Sequence, residues 1–125
     1  MTPNEILKID AKRNHPAGTV AGHLRADINN SIRSGGEVLQ FGDTLIVYQT
    51  VQPGIVEHHS FNAGTPQSLI DANKSLWRLL KKAGATMAYT TYQNPKITKL
   101  FENAGDEFPV EITEDNGLFT AKVSL

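Results

Sequence analysis

Between Thr65 and Gly105 the chain carries start and stop signals that cut it into a helix, a strand and a second helix, and this order limits the folds open to it. Thr65 offers an N-cap oxygen, Pro66 fits the first helical position because no N–H is needed there, and Gly84 ends the segment. Leu69, Leu76, Leu79, Leu80 and Ala83 then fall on one helix face. The next stretch, Ala85 to Gln93 (ATMAYTTYQ), is rich in threonine and tyrosine and too short and too β-prone for more helix, so it reads as a strand. Asn94 caps a further helix with Pro95 at its first position, and Gly105 is placed to stop it in the left-handed conformation. Ile97, Leu100, Phe101 and Ala104 recur at i, i+3, i+4 and i+7, which gives this short helix one buried face.

Upstream, Thr2 and Pro3 open a helix through about Asn14, with Ile6, Leu7 and Ile9 as its apolar contribution and His15-Pro16 as its end. A second helix is expected from about Val20 to Ser34, with Leu24, Ile28 and Ile32 at four-residue spacing and Gly35-Gly36 as terminator. Glu37 to Phe41, Thr44 to Val51 and Ile55 to Phe61 read as three strands joined by turns at Gly42-Asp43 and Pro53-Gly54, an antiparallel meander. At the end of the chain a hairpin turns at Asn116-Gly117. Its register sets Glu111 opposite Lys122, and Val110 and Ile112 opposite Val123 and Ala121, which leaves one face apolar. The element order is α-α-β-β-β-α-β-α-β-β.

A chain of 125 residues suffices for one domain with a single core. The formal net charge is −1, from 12 basic and 13 acidic residues without a long run of either sign, so neither a nucleic-acid nor a membrane-surface footprint is indicated. Arg78, Lys81 and Lys82 make one basic helix end that complements the helix dipole. Cysteine is absent, which removes disulfides, thiolate nucleophiles and zinc ribbons. No apolar segment approaches a membrane span, and the polar start MTPNEILK lacks signal-peptide character, so a soluble cytoplasmic protein is expected. His58 and His59 are adjacent on a strand, point to opposite faces and so cannot jointly ligate one metal; no metal site is expected. Trp77 reads as an amphipathic boundary residue or, on an exposed face, as an interaction anchor.

The stretch NPKITKLFENAG, Asn94 to Gly105, resembles a helix of the GNAT superfamily of acetyl-CoA-dependent N-acetyltransferases that typically reads N-x-x-A-x-x-x-Y-x-K-x-G-F. Asn94 and Gly105 match its first and penultimate positions, and Leu100 and Glu102 stand where leucine and glutamate are common. Ile97 replaces the alanine, Phe101 the tyrosine and Asp106 the final aromatic, with Phe108 displaced beyond it. The element order matches the superfamily's with its first strand missing. The resemblance therefore implies an α+β fold, a GNAT-like α/β sandwich with a mixed, mostly antiparallel sheet, over residues 1–125 as one domain. A sheet edge left bare by that missing strand would have to be covered or blunted.

The resemblance also implies a coenzyme site. The superfamily's pyrophosphate loop, Q/R-x-x-G-x-G/A, is similar to Phe61 to Leu69 (FNAGTPQSL), with Gly64 as first glycine, Phe61 at the Gln/Arg position and Pro66, which has no N–H, at the second small-residue position. The amides of Gln67 and Ser68 at the helix start then remain for the pyrophosphate, and Asn94 completes the implied cofactor contacts. Phe101 has no proton to give where the family's tyrosine serves as general acid, so Tyr92 is the candidate replacement and Tyr89 is read as packing. Glu57 resembles the family's strand-borne glutamate that takes the amine proton, against its plain reading as a solvent-facing carboxylate; a water-linked His58 is the other candidate base.

Two functions compete at this level. With the tyrosine and the second glycine both missing, the first is a catalytically degenerate GNAT-like domain with no cofactor, binding acetyl-CoA weakly or not at all. It would act as a protein-interaction or virion-associated component, through the sheet edge or the face around Trp77, with a foreign partner or a second copy of itself. In size and style it is similar to short GNAT-like proteins of short-tailed bacteriophages, which adds the virion to the cytoplasm as its location. The alternative is a small acyl-CoA-dependent N-acetyltransferase, with acetyl-CoA as cofactor, Glu57 or His58 as base and Tyr92 as acid.

Overall fold

The computed structural model describes residues 1–14, 28–30 and 32–125. Helix α1 (Pro3–Asn14) starts with a reciprocal cap: Thr2 Oγ1 accepts from the Glu5 amide at 3.2 Å, and Glu5 Oε1 accepts from the Thr2 amide at 3.3 Å. It buries Ile6 and Leu7 against the sheet. The expected second helix falls partly outside the described residues, Leu24 with it; residues 28–30 and 32–33 are helical, and Gly35 follows at φ +94°. Ile28 is buried beside Leu45 and Val47, whereas Ile32 is 47% exposed.

The meander forms as expected: β1 (Glu37–Phe41), β2 (Thr44–Gln52) and β3 (Ile55–Asn62) pair antiparallel in sequence order. Helix α2 (Pro66–Lys82) follows, capped by Thr65, whose Oγ1 accepts from the Ser68 amide at 3.1 Å. Its buried arc holds Ile70, Asn73, Leu76, Trp77 and Leu80. Leu79 is 51% exposed and Ala83 is also exposed, because the arc is centred on Asn73 and Trp77 rather than on the leucines. Trp77 is fully buried, which overturns its reading as a boundary residue or surface anchor.

Strand β4 (Met87–Tyr92) is shorter than the stretch 85–93, since Ala85 donates to the Leu80 carbonyl and Thr86 to that of Gly54. Helix α3 (Lys96–Asn103) tightens into a 3-10 turn over Ala104–Asp106. Gly105 lies inside that turn and is not left-handed; the helix ends by tightening instead of by a glycine cap. Strands β5 (Val110–Asp115) and β6 (Leu118–Ser124) pair in the expected register, Glu111 opposite Lys122 and Val110 opposite Val123. Their turn places Asn116 at φ 52° and Gly117 at φ 82°, the pair of positive values an Asn-Gly hairpin requires.

The sheet order is β1-β2-β3-β4-β6-β5, antiparallel throughout except for β3 and β4. Apolar clusters cover both faces in place of the single core inferred from length. One lies under α2 and α3 and includes Ile46, Val56, Leu76, Trp77, Ala88, Phe101 and Val123; the other lies under α1 and includes Ile6, Leu7, Leu45 and Val47. This is the GNAT-like α+β sandwich, and its one parallel pair is incomplete. Ile55, Val56 and Glu57 pair with Met87, Ala88 and Tyr89; beyond that point β3 stays on β2 and β4 stays on β6, so the sheet forks.

Candidate functional site

The fork opens into a cleft of about 750 Å³, walled by the ends of β3 and β4, the starts of α2 and α3, and α1. Ser60 and Asn73 make one of its polar patches. Asn73 of α2 donates to Ser60 Oγ at 3.2 Å and to the Leu69 carbonyl at 2.9 Å, so its buried amide is satisfied where Ser60 enters the cleft. The walls are mostly apolar, with Phe61, Leu69, Ile97, Leu100 and Phe101 among them.

At the α2 end, Gly64 lines the cleft, but Gln67 and Ser68 are not among its walls; Pro66 and Leu69 face it instead. The Ser68 amide is already taken by Thr65 Oγ1, the Leu69 amide by the Thr65 carbonyl at 3.1 Å, and Pro66 has none, so the Gln67 amide is what remains of the first turn. The Gln67 side chain turns away to Asp71 at 2.9 Å. Ser68 spends its hydroxyl on the Thr65 carbonyl at 2.8 Å. Gly64 is needed for space: a Cβ there would meet Ser68 Oγ at 2.5 Å and Asp43 Oδ2 at 3.0 Å. Arg13 of α1 reaches across the rim and donates to the Gly64 and Ala63 carbonyls at 2.7 and 3.2 Å, adding a cation the sequence did not connect with this loop.

At the α3 end, Asn94 lines the cleft and its Oδ1 accepts from the Lys96 amide at 3.0 Å, while its carbonyl accepts from Ile97 at 3.1 Å. Phe101 is buried in a run of rings: its centroid lies 5.6 Å from that of Tyr92 and 6.0 Å from that of Trp77, and Tyr92 stacks in turn on Phe119 at 5.2 Å. Tyr92 lines the cleft, and its hydroxyl is bonded to Thr98 Oγ1 of α3 at 2.8 Å. Burial raises the Tyr92 pKa, against the opposing influence of Thr98, so the phenol stays protonated at neutral pH.

The candidate bases separate by strand alternation. His58 is fully buried on the α2 side, where Nε2 accepts from Trp77 Nε1–H at 3.1 Å, and burial, reinforced by neighbouring His59, lowers its pKa to about 3. It meets no substrate, and its reading as a base is overturned. Glu57 is not a cleft wall and not simply solvent-facing: Oε1 lies 2.9 Å from His59 Nε2, and Oε2 accepts from the Tyr89 hydroxyl at 3.2 Å. Tyr89 is therefore more than packing. His59, which sequence reading passed over, is the member of this group that lines the cleft. The signal for it was present: residues two apart on a strand share a face, so Glu57 and His59 are neighbours by spacing alone. Among the described residues no group of three or more His, Asp or Glu is arranged to hold a metal ion.

No protein-family model matches the sequence, and no curated protein matches it in sequence. Solved structures do match it in shape. A ribosomal-protein-alanine N-acetyltransferase from Brucella melitensis superposes with a TM-score of 0.61 at 13% identity, over 97% of this chain and 93% of its own. An acetyltransferase from Bacillus subtilis, solved in complex with CoA, gives 0.62 at 17% identity, over 100% and 94%. An N-acetyltransferase from Staphylococcus aureus Mu50 gives 0.55 at 15% identity, over 99% and 94%. Identities this low show the fold, which is that of the GNAT N-acetyltransferases.

Proposed function

We propose that this chain is an acyl-coenzyme A-dependent N-acyltransferase, with the forked cleft as the place where thioester and amine meet. The fork carries this reading: two neighbouring strands that part after three residue pairs leave backbone groups facing a cavity of about 750 Å³, large enough for an extended arm between them. The likeness to three acetyltransferases, one of them solved with CoA, supports acetyl-CoA over the cofactor-free alternative. Coenzyme A fits the residues present in part. Strand β4 and Asn94 would hold its arm, while Gly64 and Arg13 would hold its phosphates, with fewer backbone donors than a two-glycine loop offers.

When bound, the coenzyme supplies an acyl group activated as a thioester. Tyr92 would supply the proton for the departing sulfur: its side chain lines the cleft, burial keeps the phenol protonated, and the bond to Thr98 Oγ1 fixes the hydroxyl. Phe101 backs the Tyr92 ring and takes no proton-transfer role.

Calorimetric titration with acetyl-CoA should give saturable binding, and release of free thiol should follow on adding a primary amine. Tyr92→Phe should lower kcat by about 10²–10⁴-fold with little change in binding. Wild-type protein that fails to bind millimolar acetyl-CoA would exclude the proposal.

A second reading keeps the fold and drops the chemistry: a degenerate, partner-binding or virion-associated domain. The phenylalanine at position 101 and the already capped Ser68 amide favour it. Its contact surface would be the outer edge of β1, since β5, the other outer strand of the described sheet, carries Glu111, Glu114 and Asp115. Failure to bind acetyl-CoA, together with self-association or a bound protein partner, is the outcome that would select it.

A further inference from the structure

Glu57, His59 and Tyr89 form a connected group at the point where the sheet forks. Glu57 and Tyr89 are the last parallel partners of β3 and β4, and their side chains meet there, the Tyr89 hydroxyl donating to Glu57 Oε2 at 3.2 Å. His59 stands two residues further along β3 on the same face, opposite Val47 of β2, and lines the cleft with a side chain 45% exposed. Its Nε2 lies 2.9 Å from Glu57 Oε1.

The chemistry of that contact sets the tautomer. A carboxylate only accepts, so the ring nitrogen beside it carries the hydrogen, and the lone pair of the neutral imidazole is on Nδ1. No described residue is hydrogen-bonded to Nδ1. The Tyr89 hydroxyl occupies the second carboxylate oxygen, so Glu57 cannot rotate to release the ring without losing two contacts. Among the described residues, Asp10 and Arg13 of α1 and Tyr92 of β4 are the other ionisable groups on the same cleft; Asp10 Oδ1 accepts from the Asn62 amide at 3.0 Å, Arg13 is turned to the loop carbonyls, and the Tyr92 hydroxyl is bonded to Thr98 Oγ1.

Resting on the acyltransferase reading above, we propose that His59 is the general base of this site, with Glu57 as a positioning residue and Tyr89 as the group that fixes Glu57. As the amine lone pair forms the new C–N bond, the thioester C–S bond breaks with its electron pair leaving on sulfur. The proton lost from nitrogen goes to His59 Nδ1 and from there to water. Sulfur is protonated from the Tyr92 hydroxyl, which regains its proton from water. Glu57 receives no proton in this sequence; it stabilises the imidazolium and holds the ring toward the cleft.

The test has two arms. Nitrogen NMR of the histidine rings in the ligand-free protein reads the tautomer directly. His59 should be Nε2–H in the wild type, a mixture in Glu57→Gln, and intermediate in Tyr89→Phe. In the second arm, acetyl-CoA is the donor, and phenethylamine and a short peptide with a free N-terminus are the acceptors. His59→Gln should lower kcat by about 10²–10⁴-fold, leave KM for acetyl-CoA unchanged and abolish the acid limb of the pH–rate profile. Glu57→Gln should lower kcat without moving that KM. A wild-type His59 found as Nδ1–H, or a His59→Gln variant that keeps wild-type kcat and pH profile, would overturn the assignment. Absence of acetyl-CoA binding, or binding without transfer to either acceptor, would overturn the acyltransferase reading and the base assignment with it, while the NMR arm still reports whether the Glu57 contact exists.

Discussion

Two histidines side by side in the chain have opposite fates, and the difference is one of face. His58 enters the core and gives up its basicity; His59 stays at the cleft and keeps a carboxylate. With a pKa near 3 in the fold and the ordinary 6.5 when unfolded, His58 takes a proton only in the unfolded chain at intermediate pH. The stability it permits is therefore whole above pH 6.5 and is lost as pH falls from there toward 3, at a little over 1 kcal/mol per pH unit from this group. Urea unfolding at pH 7.5 and pH 5 should show that decline, and equal stability at the two values would contradict the burial of a neutral His58. Phe101 gives the second prediction at this scale. It is 5% exposed and packed between Tyr92 and Trp77, so Phe101→Ala should cost about 3–5 kcal/mol by denaturant midpoint. A cost below 1 kcal/mol would mean that the ring run closes over the gap.

Among the elements, α2 decides most about the cleft, because its first turn is both its cap and the nearest source of amide donors. Thr65 Oγ1 satisfies the Ser68 amide, which stabilises the helix and takes that donor from any phosphate. Thr65→Ala should destabilise the protein by about 1 kcal/mol while leaving acetyl-CoA affinity equal or tighter, since an amide is released. Thermal melting and titration of the one variant test both halves; a loss of affinity would mean that Thr65 itself contacts the ligand. The far end of α2 is tied differently. Arg78 Nε and Nη2 donate to Glu107 Oε1 and Oε2 at 2.7 and 2.6 Å, so the basic end does not merely complement the helix dipole but fastens α2 to the segment after α3. The pair raises Arg78 and lowers Glu107 through that same hydrogen-bonded contact, and it lies fully at the surface, where such a contact positions more than it stabilises.

Taken as a whole, the molecule is a forked sheet clamped between α1 on one face and α2 with α3 on the other, and a ligand in the fork would touch all three layers. Acetyl-CoA at one hundred times its dissociation constant should therefore raise the unfolding free energy by about 2.7 kcal/mol, read as an upward shift in Tm that saturates with binding; no shift at saturation would separate binding from the fold of the cleft. The sequence alone determined what depends on near neighbours: the capped start of α1, the Thr65-Pro66 start of α2, the three-strand meander, and the Asn116-Gly117 turn with its register. Caps, turns and alternation act over a few residues, so they can be read along the chain. The resemblance of Asn94 to Gly105 extended this to the whole fold. The tertiary structure decided the rest. Whether β3 and β4 pair for three residues or for their full length depends on helices that pack from opposite faces, and Glu57 meets Tyr89 across 32 residues of chain. Trp77 is buried because His58 stands opposite it with an acceptor, a contact across 19 residues. Ser68 lost its amide to a cap that the sequence did reveal, but which donor that cap would take was fixed only by the side-chain geometry of Thr65. His59 became the residue at the cleft for the same reason: alternation placed it beside Glu57, and only the parting of two strands opened the space it faces.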